Sequence, residues 1–135
     1  MAKVLVIDDE PAIRQVMTAV LRDENYEVKT ASEGASALAI LASEHFDAVL
    51  LDMMMPGMDG LEFLQHLPPV NTPPVIAMTA SSRAQLGAAV VAVLYKPFDM
   101  EELLAALRTV LRTGRTAHSP DGTGPDAERF SGTPV

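Results

Sequence analysis

Three stretches of this chain are apolar almost from end to end, and each closes on a side chain that carries oxygen: KVLVID (3–8), DAVLLD (47–52) and PVIAMT (74–79). A strand with one solvated face alternates apolar and polar residues. A continuous run marks a strand covered on both faces, as at the centre of a parallel sheet. YEVKTA (26–31) alternates and belongs nearer an edge, and AVLY (92–95) is a fifth candidate strand. Parallel strands need crossover connections, and helical patterns stand between these runs. The first pattern places Ile13, Val16, Met17, Val20 and Leu21 at the i, i+3, i+4, i+7, i+8 spacing of a core-facing helix, with Pro11 suited to its first turn. Shorter helices are expected over 35–44 and 60–67. The last helix, over 99–112, opens on Asp99 and Glu102 at capping-box spacing and turns Leu103, Leu104, Leu107 and Leu111 inward. Five such βα units predict an α/β doubly wound sheet, whose functional cleft lies beyond the carboxyl ends of the strands.

Composition narrows the function classes. An apolar fraction of 48% excludes general disorder, and no uninterrupted apolar run is long enough to cross a bilayer. Residues 113–135 differ: 13 of these 23 are Gly, Pro, Ser or Thr, too few apolar groups to offset the entropy of ordering. The expectation is a folded unit over 1–112 and a disordered tail over 113–135. The start, MAKVLVIDDE, is no secretory signal, so a cytoplasmic location is expected. The absence of cysteine excludes disulfides, thiolate metal sites and thiol nucleophiles. A net charge of −8 argues against broad contact with nucleic-acid phosphates.

The strand-end rule sorts the polar residues. Asp8 and Asp9 end the first strand, Asp52 the third, Thr79 the fourth and Lys96 the fifth. Three neighbouring carboxylates repel one another and call for a cation, and hard oxygen ligands suit Mg²⁺. Lys96 adds a fixed positive charge and Thr79 a hydroxyl donor. Together these are parts for stabilising a transferring phosphoryl group, with Asp52 as the nucleophile that forms an acyl phosphate. Blander readings stand beside this one. Asp9 alone reads as a helix N-cap, Asp52 as a loop acid and Lys96 as a surface lysine. Met53, Met54, Met55 and Met58 could be thioether ligands for Cu(I), though methionine more often fills gaps in a core. His45, His66 and His118 lack ligand spacing and read as solvated surface residues.

The sequence resembles the receiver domain of two-component response regulators in VIDDE (6–10), LLDMMMPGMDGLE (50–62), VIAMTA (75–80) and YKPF (95–98). The four motifs stand in order at the strand ends, and the resemblance covers residues 3–112. It implies a flavodoxin-like sheet of order 2-1-3-4-5 with helices on both faces. It also implies phosphorylation on Asp52, Mg²⁺ bound directly by Asp9 and Asp52 and through water by Asp8, and a further ligand in the backbone carbonyl of Met54. Thr79 and Lys96 would contact the phosphoryl oxygens. The implied donor is a histidine kinase, a phosphotransfer protein or a small phosphodonor. The implied catalysis is limited to the receiver's own phosphorylation and dephosphorylation.

Two departures stand out. Only 17 positions separate Thr79 from Lys96, fewer than is usual in receivers, so SSRAQLGAAVV (81–91) must hold a short fourth helix. Receivers usually carry an aromatic residue three positions before the lysine. Here that position is Val93, with Tyr95 one step along the same strand face. The expectation is intact chemistry with altered output, through a remodelled face of fourth helix, fifth strand and fifth helix, which is also the expected homodimer face. The reading is a stand-alone regulator without direct nucleic-acid or membrane contact, signalling through an unknown downstream protein or onward phosphotransfer. Its rivals are a receiver-like scaffold that is never phosphorylated, a phosphohydrolase and a fragment of a longer regulator.

Overall fold

The structure is a computed structural model and describes residues 1–68, 70–80 and 87–113. Strands β1 (Lys3–Ile7), β2 (Glu27–Ala31), β3 (Ala48–Asp52), β4 (Val75–Thr79) and β5 (Val90–Tyr95) form one sheet in the order β2-β1-β3-β4-β5. All four pairings are parallel, as the continuous apolar runs demand. Helices α1 (Pro11–Asp23), α2 (Gly34–Ser43), α3 (Gly60–Gln65) and α4 (Met100–Thr113) complete the described elements. This is the flavodoxin-like α/β fold, with β2 at an edge as its alternation implies.

Successive strand residues feed opposite faces. Val4, Val6, Leu50, Ile76 and Met78 pack with Met17 and Leu21 of α1 and Leu103, Leu104, Leu107 and Val110 of α4. Leu5, Ile7, Val49, Leu51, Val75 and Ala77 pack on the other face with Ala37, Phe46 and Phe63. A fully buried aliphatic side chain contributes about 1.5–3 kcal/mol. Two cores of that kind offset the several kcal/mol that each buried carboxylate at the sheet's edge costs.

Asp99 and Glu102 form the expected capping box: the Glu102 N–H donates to Asp99 Oδ1 at 2.8 Å and the Asp99 N–H to Glu102 Oε1 at 3.0 Å. Other expectations need correction. Ile13 and Val16 are exposed, because the buried side of α1 centres on Met17 and Leu21 and leaves the outer margin of the stripe in solvent. In α4, Val110 is buried and Leu111 is half-buried. Strand β5 begins at Val90 rather than residue 92. The register passes from Val75 opposite Val90 to Ile76 opposite Ala92, so Val91 is the extra residue of a bulge. Helix α4 runs through Thr113, one residue into the segment assigned to the tail.

The short fourth helix expected within 81–91 falls largely on residues 81–86, outside the described residues, as does the tail from 114 onward with His118. The face expected to carry output and dimerisation is therefore described only in β5 and in α4, the last helix.

Candidate functional site

Asp52 closes β3, a strand buried along its whole length, and is itself only 3% exposed. Its Oδ1 accepts two hydrogen bonds, from the Met54 N–H at 3.0 Å and from the Lys96 ammonium at 3.0 Å. Both fall on one oxygen. Among the described residues no donor holds the other. Lys96 follows β5, and its backbone N–H donates to the Thr79 carbonyl at 2.8 Å, so the ends of β4 and β5 are tied together beside the acid. The Lys96–Pro97 peptide bond is cis.

Asp8 stands just past β1, its N–H still bonded to the Ala31 carbonyl of β2. Its Oδ1 accepts the Glu10 N–H at 2.9 Å, and its own carbonyl accepts the Arg14 guanidinium at 2.6 Å. One carboxylate oxygen each from Asp8, Asp9 and Asp52 lies within 4.8 Å of the others. Burial pushes the Asp8 carboxyl above its ordinary range. The Asp52 and Asp9 charges add to that rise, while the Glu10 N–H and Lys96 oppose it. Thr79 is 2% exposed at the end of β4 and lies opposite Tyr95 in register.

The five residues picked from the strand ends therefore converge. The N-cap of α1 is Glu10, without a side-chain cap, so the arrangement does not support the bland reading of Asp9. Met53 and Met55 are buried in the α2–α3 core and Met58 packs against it, which is gap-filling work, while Met54 is 67% exposed. His45 and His66 are exposed. Gly57 has φ +77 and uses glycine's freedom in the turn, but Gly60 is glycine for another reason. A Cβ there would stand 2.7 Å from the Met53 Cα. Sequence reading missed Arg14 and the Glu10 N–H. The signal available was spacing alone, a helix that starts after only three intervening residues.

Among the described residues, three carboxylates stand against the Lys96 ammonium and the Arg14 guanidinium, which leaves negative charge uncompensated, and every ligand atom is a hard oxygen. That set fits Mg²⁺ and not a soft metal. Residues 4–108 match the family model for the response regulator receiver domain. The chain belongs to that family. This receiver is 42% identical over 131 residues to the response regulator MprA of a Mycobacterium species (strain KMS), covering 93% of the chain and 55% of that relative. It thus spans about half the length of the curated relatives it matches. Among solved structures, the receiver is similar to the chemotaxis response regulator CheY4 of Vibrio cholerae, with TM-score 0.76 and 38% identity over 82% of this chain and 99% of that one. It is also similar to response regulator TrrA of Thermotoga maritima, solved in complex with Mg²⁺-BeF, with TM-score 0.74 and 36% identity over 82% of this chain and 100% of that one. Receivers serve two-component signalling. Among the described residues no helix is long and apolar enough to cross a membrane.

Proposed function

We propose that this receiver accepts a phosphoryl group on Asp52 and signals by that modification. The observation that carries the reading is the Asp52 carboxylate, buried between the Lys96 ammonium and the Asp8–Asp9 pair. A free carboxylate oxygen attacks phosphorus and an O–P bond forms. The donor's bond from phosphorus to nitrogen or oxygen breaks, and the leaving group keeps the electron pair and takes a proton. Lys96 and the Thr79 hydroxyl hold the phosphoryl oxygens as charge shifts among them. Asp9, Asp52 and the Met54 carbonyl would hold Mg²⁺ directly and Asp8 through water. Bound there, the ion neutralises phosphoryl charge. The Mg²⁺-BeF complex of TrrA supports this assignment.

The donor is a histidine kinase, a phosphotransfer protein or a small phosphodonor in the cytoplasm, and the chemistry ends with the receiver's own phosphorylation and dephosphorylation. Output is contact with another protein or onward transfer of the phosphoryl group. With Val93 half-buried and Tyr95 50% exposed beside Thr79, it runs through an altered β5 face. The test is incubation with a small phosphodonor and Mg²⁺, wild type beside Asp52→Asn. A label that hydroxylamine removes, absent from the variant, is expected. A label that survives in Asp52→Asn sinks the assignment, and no label on either protein favours the scaffold reading. The greater length of the MprA relatives supports a second reading, a receiver joined to an output domain. The mass of the protein in its native cells decides between the two.

A further inference from the structure

We propose that Arg14 is a positioning residue for the Asp8–Asp9 pair, holding the two acids, through the Asp8 carbonyl, in the orientation that takes a divalent cation. The inference rests on reading Asp8, Asp9 and Asp52 as that cation's site.

The parallel ladder runs out where the acids begin. The Asp8 N–H still finds the Ala31 carbonyl, but β2 ends at Ala31, and the Asp8 carbonyl accepts the Arg14 guanidinium at 2.6 Å instead. A bond from a guanidinium to an oxygen is charge-assisted and stronger than a neutral one. That carbonyl shares a planar peptide group with the Asp9 nitrogen. Fixing it fixes the plane from which both acids depart. The Asp8 side chain is restrained separately, because its Oδ1 accepts the Glu10 N–H at 2.9 Å. Two groups at the start of α1 therefore set the geometry of the pair, one through the side chain and one through the backbone. Arg14 is half-buried and lines a surface cavity together with Pro11, Thr18 and Thr30. An arginine gives up rotamer freedom when held in this way. A strand-end carbonyl that water could serve as well would not need that restraint.

Mg²⁺ binding to the full chain, followed by calorimetry, tests the proposal. Arg14→Met keeps an apolar stem and removes the donors, and it is expected to weaken binding about tenfold, the low end for losing an outer-shell partner. In an Asp8→Asn background the same change is expected to cost less than in wild type, because only one of the two positioned carboxylates, Asp9, is left. Wild-type affinity in Arg14→Met, or an equal loss in both backgrounds, overturns the positioning role even if the variant melts at a lower temperature in EDTA. Should Arg14→Met fail to fold, Arg14→Lys carries the comparison. With a shorter reach and no planar fork to hold the Asp8 carbonyl, that variant is expected to bind Mg²⁺ more weakly than wild type, and wild-type affinity overturns the proposal. A wild-type chain that binds no Mg²⁺ overturns the cation-site reading itself, a result distinct from the others.

Discussion

The Lys96 ammonium sits 3.0 Å from Asp52 Oδ1, although 44 residues separate them in the chain. The lysine is 37% exposed and the acid's side chain 4%, so the pair spans the boundary between solvent and core. It is a contact that a phosphoryl group would have to rearrange, and it makes opposite predictions for metal and for transfer.

Lys96→Met should slow formation of the acyl phosphate about 100-fold, the usual cost of removing one donor to developing charge. The same change should tighten Mg²⁺ binding, because a cation beside Asp52 no longer competes. Labelling rates at saturating Mg²⁺ and a separate Mg²⁺ titration check the two halves. Weaker metal binding in the variant would contradict the geometry.

Asp8→Asn should melt higher than wild type in EDTA at neutral pH. Burial and the neighbouring Asp52 and Asp9 disfavour the ionised Asp8, and an amide escapes that cost. Mg²⁺ should then raise the wild type more than the variant, since a ligand stabilises only in proportion to its binding. Melting curves in EDTA and in Mg²⁺ decide it, and a lower melting temperature for the variant in EDTA refutes the electrostatic account.

Gly60→Ala should cost about 1–3 kcal/mol as overpacking. The added Cβ would meet the Met53 Sδ at 2.5 Å and the Met53 Cα at 2.7 Å. Trimming Met53 to alanine in the same chain should not restore stability, because the backbone atom remains. Gly57→Ala meets nothing within 4 Å and should cost only about 1–2 kcal/mol from its left-handed φ. Urea unfolding measures all three.

Glu44 accepts the Lys3 and Lys29 ammonium groups at 2.6 Å each. The bonds from Lys29 and Lys3 hold its carboxyl below the usual range. A depressed acid adds stability above its unfolded pKa, about 4.3, and loses it as pH falls through the lower folded value. Glu44→Gln should therefore be less stable than wild type near pH 7, with the gap closing below about pH 4 and narrowing in high salt. Urea midpoints across that range test it. A gap that stays constant into strong acid would rule out ionisation as its source.

Much of this was legible because the cues are local. The runs 3–8, 47–52 and 74–79 announce buried strands by composition, and Asp99 and Glu102 announce a helix start by spacing alone. The strand-end rule then collects Asp8, Asp9, Asp52, Thr79 and Lys96, because parallel strands all deliver their last residues to one edge.

Other features depend on how elements meet. A stripe of period 3.6 says which side of α1 faces inward, but the packing of the helix on the sheet decides its margins. Met17 and Leu21 are covered while Ile13 and Val16 stay in solvent. The bulge at Val91 depends on how β5 aligns with β4, and the reason for glycine at position 60 is a contact with Met53 across a turn. The hold of Arg14 on the Asp8 carbonyl depends on where the β1–β2 ladder stops. The amino-acid sequence by itself determined the strands, their shared edge and the polar residues gathered there, since periodicity and strand direction are properties of the chain. Helix margins, the bulge and the bonds that hold Asp8 were decided by the tertiary structure alone, because they depend on distances between segments that no local pattern encodes.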